Sequence, residues 1–97
     1  MPMYVVLMTL TDEGVKGLTN LPSQVDAAEE ALESAGGELI GFYLCMGRYD
    51  YVAIVDSPSD EYTMVQLLKL AMEGSVRTVT LKAFQRESLP DLVRKLD

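Results

Sequence analysis

Residues 38–56, ELIGFYLCMGRYDYVAIVD, decide the fold. Two apolar runs rich in β-branched and aromatic residues, 38–46 and 49–56, flank a short turn at Gly47-Arg48. That is the pattern of a β-hairpin. On its N-terminal side stands Gly36-Gly37, a stop signal for a helix that starts near Pro22, where the missing N–H of proline costs nothing. On its C-terminal side Ser57-Pro58 reads as a helix start, with Ser57 as N-cap, Pro58 in the first turn and Asp60 three residues after the cap. Met64, Leu67, Leu68 and Ala71 supply the apolar face of that second helix, and Gly74 ends it.

Further out, residues 3–11 (MYVVLMTLT) and 75–84 (SVRTVTLKAF) read as strands. Residues 12–20 read as a loop with a helical turn, and residues 88–96 as a short amphipathic tail helix. The order is β-α-β-β-α-β. Its usual solution is α+β and ferredoxin-like: a four-stranded antiparallel sheet with two helices on one face, here followed by the short C-terminal helix. All 97 residues are read as one domain.

In this arrangement the first and third strands are central, and both carry apolar residues on both parities. Tyr4, Val6, Met8 and Leu10 alternate with Met3, Val5 and Leu7; Tyr51, Ala53 and Val55 alternate with Val52 and Ile54. Helices cover one face only. The other, roughly 400 Å² in projection, is large for a monomer to leave bare. A second copy, packed sheet on sheet, is the expected cover, so the chain should be a homo-oligomer, at least a dimer. In the fourth strand Val79, Leu81 and Ala83 are expected to face the helices. Thr78, Thr80 and Lys82 then face the second side, with Lys82 a candidate charge for an anionic ligand or an interchain salt bridge.

Composition removes several function classes. With 15 acidic and 8 basic residues the net charge is −7, which argues against nucleic acid and anionic membrane as partners. Histidine is absent and cysteine occurs once, excluding a histidine triad, a His-ligated haem and a Cys/His zinc site. Paired acids at 12–13, 29–30 and 60–61 lack a calcium-loop pattern, so neither metal nor cofactor is expected. The start lacks a signal-peptide pattern, and a lone Cys45 beside six methionines fits a reducing compartment, so the expected location is cytoplasmic. Asp26, Glu29, Glu30 and Glu33 line one side of the first long helix, as a solvated face or as a docking face for a basic partner.

The polar residues that stand out are Thr9, Thr11, Tyr43, Arg48, Tyr49, Asp50 and Arg77, a candidate ligand-binding set. Asp50 opens a central strand, and a carboxylate buried there needs donors. Arg48, Arg77, a tyrosine or backbone N–H groups are the candidates. Tyr49 has the opposite parity, so its ring should point to the other face.

The stretches 2–14, 35–61 and 74–84 resemble the GYD family of small proteins, whose eponymous Gly, Tyr and Asp match Gly47, Tyr49 and Asp50. Thr9, Thr11, Gly14, Gly37, Tyr43, Asp56, Pro58, Gly74, Arg77, Thr78, Ala83 and Phe84 match as well, over nearly the whole chain. Similar proteins carry a basic residue near Gln24 that is missing here. The resemblance implies a ferredoxin-like fold of the dimeric α+β barrel type and implies no particular reaction. Two functions fit the reading. One is a small-metabolite-binding or oligomeric regulatory or assembly module. The other is a cofactor-independent enzyme, monooxygenase- or isomerase-like, of the kind that shares this fold.

Overall fold

A computed structural model describes residues 1–97. Strands β1 (Met3–Leu10), β2 (Glu38–Leu44), β3 (Tyr51–Asp56) and β4 (Val76–Ala83) form one antiparallel sheet in the order β2-β3-β1-β4. Helix α1 (Asp12–Lys16) and a 3-10 turn at Leu18–Asn20 lead into α2 (Leu21–Ser34); α3 (Asp60–Glu73) joins β3 to β4; a second 3-10 turn, Arg86–Ser88, precedes α4 (Leu89–Arg94). The ferredoxin-like order and the central placement of β1 and β3 agree with the sequence.

Helix α2 lies over β2 and α3 over β4, on the same side of the sheet. The core between them consists of Tyr4, Val6 and Met8 from β1, Tyr51 and Ala53 from β3, and Val76 from β4. Leu21, Phe42, Leu67 and Leu70 close it from the helices and β2. The Phe42 and Tyr51 rings meet at 5.4 Å. Only nine residues of 97 are buried, so much of the chain's apolar surface remains outside this core.

Three expectations are corrected. The first concerns β4. Its register pairs Lys82 with Tyr4, Thr80 with Val6 and Thr78 with Met8, which puts these three on the helix face. Val79 and Leu81 therefore point away from the helices and are 48% and 50% exposed. Lys82 is no charge on the second face: its Nζ binds Asp60 in the first turn of α3 at 2.9 Å. Register to β1 outranked the strand's own alternation, because both parities of β1 are apolar and accept either neighbour.

The second concerns α3. Thr63, Leu67 and Leu70 turn inward, while Met64, Leu68 and Ala71 are exposed. Thr63 is drawn in because its hydroxyl donates to Ser57 Oγ at 2.7 Å in a buried pair.

The third is the start of α3. Ser57 is 1% exposed and lies before the helix. The N-cap is Ser59, whose Oγ accepts from the Tyr62 N–H at 3.0 Å. Ser57 instead donates to the Ser59 carbonyl at 3.0 Å, turning the chain off the sheet. Smaller differences lie at element ends: α2 begins at Leu21, and residues 45–50 lie outside β2 and β3 as the connection between them.

Candidate functional site

At one pole of the sheet the end of β1, the β2–β3 connection and the α3–β4 junction converge. Gly47 has φ +109° there, a backbone conformation suited to glycine, and lets the connection turn. Asp50 follows, and binds on both sides. The Leu10 N–H donates to Asp50 Oδ2 at 2.8 Å. The Asp50 N–H donates to the Met8 carbonyl, and the Cys45 N–H donates to the Asp50 carbonyl, each at 2.9 Å. The donor that Asp50 needed is thus a backbone amide, neither Arg48 nor Arg77. Arg48 sits 5.7 Å from the centre of the Tyr49 ring, a cation–π contact within the connection.

Thr11 fastens the same pole from the other side. Its Oγ1 caps α1, accepting from the Gly14 N–H at 3.1 Å, and donates to the Gly74 carbonyl at 2.5 Å. The Thr11 N–H reaches the Ser75 carbonyl at 3.0 Å. Asp50, through Oδ2 and its backbone, and Thr11, through Oγ1 and its N–H, therefore hold strand ends together.

Beside them is a cavity of about 40 Å³, room for a few water molecules, bounded by Leu10, Leu18, Leu21, Gln24, Tyr51 and Ser75 among others. Tyr51 is 4% exposed, and its hydroxyl has no hydrogen-bond partner. Burial first, and the neighbouring Asp50 carboxylate second, push this phenol above its ordinary value of 10.0. It therefore stays protonated in the folded chain at pH values where the unfolded chain has lost the proton. Stability from this residue is complete below about pH 10 and falls as pH rises beyond it. We expect Tyr51→Phe to be more stable than the parent by about 1 kcal/mol at neutral pH, since a buried hydroxyl without a partner is removed, and by a larger margin near pH 11. Urea titrations at the two pH values check both parts.

The remaining candidates lie on the face that the helices leave open. Thr9 and Arg77 stand opposite each other on β1 and β4, next to the Asp50 pole. Tyr43 lies opposite Val52 and folds its ring over Gly41, where a Cβ would stand 2.7 Å from the ring. Between these polar residues runs an apolar field, with Val52 and Ile54 on β3, Val5 and Leu7 on β1, and Val79 and Leu81 on β4. The seven candidates thus divide into pole (Thr11, Asp50), connection (Arg48, Tyr49) and open face (Thr9, Tyr43, Arg77). Sequence reasoning missed Val79 and Leu81 as part of this face. Their signal was present in the alternation of β4, but alternation alone does not say which parity points outward.

A sheet with helices on one side and a partly exposed apolar field on the other defines a ferredoxin-like α+β protein. The chain belongs to the GYD family: the GYD domain matches residues 4–93. It is 34% identical over 97 residues, 99% of each chain, to a Thermus thermophilus protein named glutamine synthetase and cystathionine beta-lyase binding protein. No solved structure matches it. No helix is long and apolar enough to cross a membrane.

Proposed function

We propose that this protein is a binding module that works as a sheet-to-sheet homodimer and docks on metabolic enzymes. The observation that carries the dimer is the orientation of β4. It turns Val79 and Leu81 outward and places Thr78, Thr80 and Lys82 beneath α3, where Thr80 Oγ1 is buried without a partner. Burying a hydroxyl unpaired costs about 1–3 kcal/mol. Such a choice is favourable when the outward side chains are buried by something larger, and a second copy of the same face supplies this. The binding role is supported by the relative, whose name records two enzymes as partners. Asp50 and Thr11 serve this role by fixing the pole from which Thr9 and Arg77 project.

We expect the protein to sediment at twice its 10.7 kDa chain mass at micromolar concentration, and Leu81→Glu to sediment as single chains. A parent protein that sediments as single chains removes the dimer. The binding role is tested with purified glutamine synthetase and cystathionine beta-lyase from the same organism, each immobilised and titrated. Saturable binding with Kd near 1 μM, about −8 kcal/mol, is the expected result. No response from either enzyme at about one hundred times that concentration refutes it.

A further inference from the structure

We infer that the C-terminal segment from Arg86 to Asp97 is an arm that clasps the second copy of this chain, closing the dimer from its rim. The inference rests on the dimer proposed above. Within its own chain, α4 packs chiefly against the 3-10 turn that precedes it. Leu89, Leu92, Val93 and Leu96 recur at helical spacing along one side and are between 42% and 83% exposed. Phe84, at the root of the arm, is exposed too. A helix of six residues has little stability of its own and depends on the surface it docks against.

The shape of the molecule agrees. A compact chain of this length has a radius of gyration of about 12.5 Å. The observed value is 14.8 Å, with a longest extent of 52 Å. The open face and the arm are also continuous. Ala83 is the last residue of β4 and shares the parity of Val79 and Leu81, and the arm starts three residues later.

Interface size bears on the occupant. A stable interface uses about 20–30 residues on each side. The open face offers about a dozen side chains, from alternate positions of four strands. That is about half of what is needed. The arm adds a second, similar number of residues, most of its apolar ones pointing to one side. A second copy brings an equivalent rim for each arm to cover, so both arms are buried by one two-fold association.

Sedimentation of three full-length proteins tests this: the parent, Leu81→Glu on the open face, and Leu92→Glu/Leu96→Glu on the arm. The expected result is a dimer for the parent, single chains for Leu81→Glu, and for the arm variant a dissociation constant raised at least tenfold with an unchanged circular-dichroism spectrum. Trypsin provides an independent readout: cleavage at Arg86, Arg94 and Lys95 should be slower in the parent dimer than in Leu81→Glu. If Leu81→Glu separates the chains while the arm variant dimerises as tightly as the parent, the arm proposal fails and the sheet-to-sheet dimer stands. If the parent itself is a single chain, both fail. If the arm is cleaved equally fast in dimer and single chain and is protected only when a purified partner enzyme is added, the occupant is that enzyme and the proposal is overturned.

Discussion

Asp50→Ala is expected to lower the stability of the protein by about 2–3 kcal/mol, a fall in Tm on the order of 10–20 °C for a domain of this size. The carboxylate accepts the Leu10 N–H at 2.8 Å where β1 ends. A charge-assisted bond is lost, and a half-buried amide is left without a partner. Asp50→Asn keeps an acceptor oxygen and should lose less than half as much. Urea titration at fixed protein concentration measures both, because association contributes to the apparent stability. A change within about 0.5 kcal/mol for the alanine variant would show that the Leu10 bond is of no consequence, and would return Asp50 to the role of a ligand contact.

Gly14→Ala is expected to cost about 3 kcal/mol, at the upper end of what one added methyl group does in a packed site. A Cβ at Gly14 would collide with the backbone carbonyl of Ser75 and stand 2.8 Å from Leu10 Cδ2. The carbonyl cannot yield freely, since it already accepts the Thr11 N–H. Relief has to come from moving α1, which breaks the cap from Thr11 Oγ1 to the Gly14 N–H. The same titration reads the loss. Gly17→Ala is the control: the nearest atom to its Cβ lies at 3.9 Å, so it should have little effect. Equal stability of the two variants would mean that the pole is looser than its hydrogen bonds indicate.

These two residues have different histories of inference. Asp50 was legible as a residue requiring donors, from its charge and its place before a central strand. Its actual donor was not, because a backbone amide leaves no mark in the sequence and Leu10 is forty positions away. Gly14 was legible as part of a loop and as a residue shared with the GYD family, with no sign of what its missing side chain makes room for. The closeness of Ser75 depends on α3 ending at Gly74 and delivering β4 beside β1, which is a long-range event.

The amino-acid sequence by itself determined the order of elements, the hairpin, the central position of β1 and β3, and the excess of apolar faces over covering helices. Period-two alternation, capping residues and glycine stops act over a few neighbouring residues, so their outcome is written locally. Tertiary structure alone decided which parity of β4 turns outward, which side of α3 turns in, and where Lys82, Ser57 and Asp50 find partners. In each case two local solutions were nearly equal. β4 has one apolar and one hydroxyl-bearing face beside a strand that accepts both, and α3 has apolar residues on more than one side. Register and the burial of the Ser57–Thr63 pair broke the ties, and both come from contacts between segments distant in the chain.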